Sequence, residues 1–297
     1  MRSPEGISSR IRTGRQANIA IERHSSLSSR PNIGAKASPL VEELCQGLKE
    51  LRSPIATASR QAIMPNAPPN PVIAPTHVLA LLDRLHELSS RKEAELGTFL
   101  EADHKLRQAD SQAADRELAR ITSDQLVALD KDKCHFMYQL IRSTGAKTVV
   151  EAGTGSGVST IYLALAVGAN DPQNGRVIAT ENEAHKAVKA RGNWKECGEA
   201  VEARIDLREG NILETLMDCP EIDLLLLDIW APLALPTLKL VEKKLRTGAV
   251  IITDNTISGA ERYKDLLEHL RDPKSFFTNI TLPYSNGLEM SVYTPYK

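Results

Sequence analysis

Cysteine is scarce in this chain. Cys45, Cys134, Cys197 and Cys219 are scattered over 297 residues, and no two form a C-x-x-C pair. That excludes a disulfide scaffold and a thiolate zinc site; it points to reduced thiols in a reducing compartment, and a cytoplasmic location is expected. The seven histidines are equally dispersed, without metal-ligand spacing. Neither charge sign dominates: 37 basic residues against 38 acidic ones leave a net charge of −1. The sequence therefore offers no electrostatic case for nucleic acid or an anionic membrane as the main partner. No apolar run approaches the roughly 20 residues that a membrane-spanning helix needs. Aromatic residues make up only 4% of the chain, so no particular binding pocket is signed by stacking side chains.

What is present divides the chain into three. Residues 1–75 read as a weakly ordered tail ending in a Pro-rich linker. Up to Lys36 the tail has seven basic residues against two acids, Glu5 and Glu22, with many serines, a composition that buries too little surface to fold alone. Its Arg- and Ser-rich start has the look of a mitochondrial transit peptide, against which the two acids count. Leu40, Val41, Leu44, Leu48 and Leu51 recur at helical spacing. Met64, directly before the Pro65–Pro71 linker, offers a second translation start. Residues 76–130 read as a helical extension, a lid or a dimer contact. Thr76 is a candidate N-cap, Val78, Leu81, Leu82, Leu85 and Leu88 predict a helix over 77–90, and two further helical pieces are expected before Leu129.

Residues 131–297 alternate strand and helix patterns. Strands are predicted at 147–151, 177–181, 204–208, 223–228, 249–254, 275–281 and 289–294, the last two flanking a turn at Asn286-Gly287. Helices are predicted around Phe136–Ile141, after the glycine-rich turn, at 184–197, 211–217, 236–246 with Pro236 in its first turn, and 259–271. Such alternation means an α/β fold: a doubly wound, mostly parallel seven-stranded sheet with helices on both faces. Ligands of such sheets bind beyond the carboxyl ends of the strands.

The strand ends carry the chemistry. In Glu151-Ala152-Gly153-Thr154-Gly155-Ser156-Gly157-Val158-Ser159, a β-branched strand ends in an acid and three alternating glycines, and an apolar helix begins. Glycines there allow a sharp turn and close approach of a ligand, and the helix offers free N–H groups. The dinucleotide fingerprint wants a small residue where Val158 stands. Glu151, two residues before the first glycine, suits a ligand with an ammonium group better than a pyrophosphate. Glu181, Asp228 and Asp254 end three further strands. Four acids on one sheet edge would be costly if buried and unpaired, so a cationic or hydroxyl-rich ligand is expected there. Glu181 stands where a ribose diol is received in nucleotide-binding sheets.

Residues 131–297 resemble the class I S-adenosylmethionine-dependent O-methyltransferases, and most closely their metal-dependent catechol and caffeoyl-CoA branch. The resemblance implies that Glu151, Gly153, Gly155, Gly157 and Ser159 hold the methionine end of S-adenosyl-L-methionine and that Glu181 holds its ribose. It implies that Gly210-Asn211-Ile212 lines the adenine and that Asp228 and Trp230 lie beside the cofactor. It further implies that Asp228, Asp254 and Asn255 hold Mg²⁺ or another divalent ion, and that Glu289, in Asn286-Gly287-Leu288-Glu289, lies near the acceptor hydroxyl. One departure stands out: the family's catalytic lysine, three residues after the first metal aspartate, is here Ala231. Lys133 aligns with a different lysine of catechol O-methyltransferase. Acceptor deprotonation would then fall to the metal, with Asp228 as its ligand, or to Glu289.

The expected activity is O-methylation of a small hydroxylated molecule, with nucleic acid and membrane not expected as partners and a homodimer left open. Two alternatives stand beside it: a metal-independent methyltransferase of the same fold acting on another acceptor, and a non-catalytic cofactor-binding protein. A dinucleotide oxidoreductase is more distant, because Gly157 and Val158 break its fingerprint.

Overall fold

The computed structural model describes residues 69–109 and 128–296, the side chains of 93–109 excepted. The amphipathic stretch at 40–51, the start of the Pro-rich linker and the segment 110–127 lie outside the described residues. Among the described residues no helix is long and apolar enough to cross a membrane.

Helix α1 (Thr76–Ala109) is one continuous helix, not the shorter piece predicted over 77–90. Ser89-Ser90 is a weak stop, and neither it nor Gly97 ends the helix; a proline would have done so. Its first hydrogen bonds, from Val78 and Leu79, are accepted by the Pro75 carbonyl, so Thr76 lies inside the first turn and does not cap it. Val78, Leu81, Leu82 and Leu85 are buried as expected, whereas Leu88 is exposed.

Seven strands follow with their connecting helices: α2 (Lys131–Thr144), β1 (Thr148–Ala152), α3 (Val158–Asn170), β2 (Arg176–Glu181) and α4 (Ala184–Cys197). Then come α5 (Glu199–Glu202), β3 (Ile205–Glu209), α6 (Ile212–Thr215), β4 (Ile222–Leu227), α7 (Ala231–Val241) and β5 (Leu245–Asp254). The chain closes with α8 (Lys264–Arg271), β6 (Phe277–Leu282) and β7 (Leu288–Tyr293). The sheet order is β3-β2-β1-β4-β5-β7-β6. The first five strands are parallel, and β7 inserts antiparallel between β5 and β6.

Leu224–Leu227 of β4 are essentially inaccessible, as a strand covered on both faces requires. One face packs with α1–α5 around Met137, Tyr162 and Trp194; the other packs with α6–α8 around Leu238, Leu266 and Phe277. Helices therefore cover both faces, as expected.

Helices α7 and α8 also differ from their predicted limits. Helix α7 begins at Ala231, with Pro232 in the first turn and Pro236 inside the helix. Pro236 is on the exposed side, where water can solvate the carbonyl that loses its partner. Helix α8 is shorter than predicted, because 256–263 form turns in which Gly259 N–H donates to the Asn255 carbonyl and Tyr263 N–H to that of Gly259.

Candidate cofactor and acceptor site

The strand order reverses between β1 and β4, and the crevice beyond that point is where doubly wound sheets take their ligands. The glycine-rich turn lies there. Gly153, Gly155 and Gly157 all have positive φ, at 91°, 56° and 75°. At Gly153 a Cβ would stand 2.1 Å from the Asp228 carbonyl oxygen, and at Gly157 it would stand 2.4 Å from the Trp194 indole nitrogen. Two of the three glycines are thus demanded by packing within the protein. Trp194 Nε1 donates to the Gly157 carbonyl at 2.9 Å, and Asn193 Nδ2 donates to that of Ser156. Sequence reasoning passed over both; they sit on α4, remote along the chain, and carry no local signal.

Glu151 is wholly buried and does not rim the cleft. Its carboxylate accepts from Ser159 Oγ at 2.6 Å, Thr160 Oγ1 at 2.5 Å and Thr154 Oγ1 at 3.1 Å. Burial pushes its pKa up to about 7, with the three hydroxyls pulling the other way and Glu181 adding to the rise. The structure therefore corrects the expected ammonium contact: Glu151 clamps the turn to the start of α3, and Ser159 points its hydroxyl at Glu151.

Glu181, at the end of β2, accepts the Gly155 N–H at 2.7 Å on one oxygen and the Glu183 N–H at 2.8 Å on the other. Each carboxylate oxygen retains a free lone pair for a diol. Beyond β3, Gly210 adopts φ 113°, and Asn211 caps α6 by accepting the Leu213 N–H at 3.1 Å. Ile212 is buried beneath, and Trp230 is half-buried at the N-cap of α7. Among the described residues the buried hydroxyl of Ser156 has no hydrogen-bond partner.

The acids beyond β4 and β5 form a second cluster. Asp228 is half-buried, and no side chain among the described residues donates to its carboxylate. Burial raises its pKa, and neighbouring Asp254 and Glu151 raise it further. Asp254 is 5% exposed and accepts Lys133 Nζ on Oδ1 at 2.7 Å and Asn255 Nδ2 on Oδ2 at 3.0 Å. Burial also raises Asp254, outweighing the Lys133 ammonium that works to lower it. For Lys133, burial works to lower the pKa, but the Asp254 and Asp130 carboxylates prevail and the net direction is up. Asn255 holds φ 60°, a left-handed conformation that asparagine tolerates better than most residues.

The donor set suits a hard divalent ion. Asp228, Asp254 and Asn255 offer oxygens, and the three carboxylates of Asp130, Asp228 and Asp254 face the single ammonium of Lys133. No group of three or more His, Cys, Asp or Glu with metal-binding geometry occurs among the described residues, so the amide of Asn255 would be needed as the third protein ligand.

Glu289 is not brought to this cluster. In β7 it pairs with Thr253, one residue before Asp254, and successive strand residues face opposite sides of the sheet. Its carboxylate is 1% exposed, forked by Arg271 Nε at 2.9 Å and Nη2 at 2.8 Å, and accepts Thr281 Oγ1 at 2.6 Å. Burial works upward, but Arg271 and Thr281 hold its pKa below the usual carboxylate range. A carboxylate so bound is a poor base. What does reach the site from the neighbouring turn is the Asn286 carbonyl, which accepts the N–H groups of Ile257 at 2.9 Å and Ser258 at 3.1 Å and steadies the loop after Asn255.

Cys134, Cys197 and Cys219 are buried free thiols, and Cys45 lies outside the described residues.

A doubly wound sheet with an acid at the second strand end and a carboxylate pair at the fourth and fifth defines the class as an α/β protein with a carboxylate-lined crevice at its strand ends. Comparison with known proteins narrows the class. Residues 150–256 match the family described as a methyltransferase domain. A catechol O-methyltransferase of Mycobacterium tuberculosis is 33% identical over 135 residues, 45% of this chain and 59% of that relative. Another, from Niastella koreensis, is 26% identical over 136 residues, 44% of this chain and 59% of that relative. The chain thus spans about three fifths of the length of these curated relatives. Among solved structures, the O-methyltransferase TomG of Streptomyces achromogenes, involved in tomaymycin synthesis and determined in complex with S-adenosylmethionine, is 22% identical with a TM-score of 0.51. It covers 65% of this chain and 96% of its own, a likeness of fold. The resemblance to class I O-methyltransferases is borne out by the domain match and the two catechol O-methyltransferases.

Proposed function

We propose that this protein is an S-adenosylmethionine-dependent methyltransferase that methylates a hydroxyl oxygen of a small molecule, assisted by a divalent ion. The observation that carries the reading is the glycine turn at the β1/β4 switch point, bound by Glu181 and packed against the backbone of Asp228. The domain match and the two catechol O-methyltransferase relatives support it.

When bound, the sulfonium cofactor supplies an activated methyl group, and a divalent ion supplies a positive charge that acidifies an acceptor hydroxyl. The protein's own residues bind and orient. Glu181 receives the ribose diol while keeping the Gly155 N–H, so one carboxylate shapes both turn and ligand. Glu151 fixes the first turn of α3 through three hydroxyls. Asp228, Asp254 and Asn255 would hold the ion, and Trp230 and Ala231 would wall the acceptor side. With alanine at 231 no amine extends from that position, and Glu289 is turned to Arg271. With a divalent ion held by Asp228, Asp254 and Asn255, the acceptor hydroxyl would be acidified enough for water to take its proton, with neither Ala231 nor Glu289 acting as base. Holding acceptor and methyl in line supplies much of the remaining acceleration.

Calorimetry with S-adenosylmethionine tests the reading. Glu181→Gln should weaken binding at least tenfold, in line with the roughly 1.5–3 kcal/mol of a charge-assisted hydrogen bond. Unchanged affinity would remove the ribose assignment, and no binding by the unaltered protein would remove the function. EDTA should abolish methylation of a catechol or related phenol, with Mg²⁺ restoring it. Turnover that survives chelation would favour the metal-independent alternative.

A further inference from the structure

Lys133 is the one lysine buried among the described residues, 1% exposed, and its ammonium lies inside the acid cluster. It bonds Asp254 Oδ1 at 2.7 Å and Asp130 Oδ2 at 3.0 Å. The second Asp254 oxygen takes the Asn255 amide nitrogen at 3.0 Å. Both oxygens of Asp254 therefore hold donors, and Asn255 presents its nitrogen to Asp254. In this arrangement two of the three groups suited to a divalent ion are tied to each other and to a resident positive charge.

We propose that Lys133 is a positioning residue that competes with a divalent ion for Asp254, so that metal loading requires its ammonium to withdraw from Oδ1. The inference rests on the metal-assisted reading of the site. An ion held by Asp254 stands about 2.0–2.1 Å from a carboxylate oxygen, too close to an ammonium on the same group for the two charges to coexist without strong repulsion. Lysine has the means to withdraw, as a point charge on a flexible four-carbon stem. Asp130 is the place to which it can retreat: its carboxylate is partly exposed and also accepts Ser285 Oγ at 3.0 Å. Asp130 is also the N-cap residue of α2, so Lys133 can leave Asp254 without leaving its helix turn or losing its counter-ion. With the ammonium gone, Asn255 is free to turn its amide and offer oxygen. In the metal-free protein Lys133 keeps Asp254 ordered, and when the ion arrives it yields one carboxylate for another. The resident cation also explains how Asp254 tolerates burial before any ion is present.

The test is Mn²⁺ titration followed by electron paramagnetic resonance on the full chain, its Lys133→Met variant and its Lys133→Gln variant. Removing the competitor should tighten Mn²⁺ binding at least tenfold in both variants, with folding verified by circular dichroism. Equal or weaker affinity in a folded variant, with the unaltered protein binding Mn²⁺, would overturn the competition and leave the metal reading standing. No binding by any of the three proteins would overturn both. Should the variants fail to fold, ¹⁵N-lysine labelling of the unaltered protein decides. The Lys133 Nζ resonance should move on Mg²⁺ saturation, and an unmoved resonance would overturn the proposal.

Discussion

Glu151 and Glu289 show how one residue type is put to different use by its surroundings. Both are inaccessible, yet Glu151 meets only hydroxyls and Glu289 meets a guanidinium. Burial without a counter-charge lifts Glu151 from 4.5 to about 7. Because that folded-state pKa lies above the unfolded one, the folded chain holds more protons between the two values, and stability falls as pH rises through the window. The stability of the unaltered protein relative to Glu151→Gln should therefore decline by about 3 kcal/mol from below about pH 4.5 to above about pH 7, measured by urea unfolding. A difference that is flat with pH would contradict the buried proton. For Glu289→Gln we expect a stability loss of about 1.5–3 kcal/mol, because Arg271 loses a charged partner. A catalytic base would instead lose turnover while stability held. Neither role was legible in the sequence, which places the two acids correctly on strands but says nothing about which neighbours meet them.

At the scale of elements, the docking of α1 depends on a neutral histidine. His86 Nε2 lies 2.9 Å from the Tyr162 hydroxyl of α3, and burial, then the charge of Lys131 and the nearby His135, lowers its pKa from 6.5 to about 4. Here the unfolded chain holds more protons between the two values, so the stabilisation is intact above about pH 6.5 and is lost as pH falls toward about pH 4. Its full size is about 3 kcal/mol. Amide protection across α1 should drop as pH falls from about 6.5 to about 4, and His86→Phe should remove that dependence. The glycine turn makes a second element-scale case. Gly157→Ala places a Cβ against the Trp194 indole at φ 75° and should cost about 1–3 kcal/mol, read from chemical denaturation. The three glycines and the helix after them were evident from sequence, but the need for glycine at 157 comes from a tryptophan 37 residues away.

For the whole molecule, the alternation of strands and helices converges on one crevice. Parallel strands β3-β2-β1 and β4-β5 run out to opposite sides, and the glycine turn, Glu181, Asp228 and Asp254 meet where they part. A ligand that binds only this assembled edge stabilises the whole fold by mass action. S-adenosylmethionine at about 100 times its dissociation constant should add about 2.7 kcal/mol and raise the melting temperature by several degrees. An unchanged melting temperature at that concentration would contradict a preformed site. NADH, whose fingerprint Val158 breaks, should give no such shift.

The sequence by itself determined the fold class, the seven strands, most of the helices and the residues at the strand ends. These follow from periodicity, from glycine and proline chemistry, and from the rule that ligands meet doubly wound sheets at the carboxyl ends of their strands. It could not determine the continuity of α1, the true start of α7, the inward turn of Glu151 or the diversion of Glu289 to Arg271. Nor could it show Lys133 seated on Asp254 across 121 residues of chain. Those are matters of which side chain meets which once the sheet closes. Tertiary structure decides them because a carboxylate's role is set by the charges and donors packed against it, and the chain brings these from segments far apart.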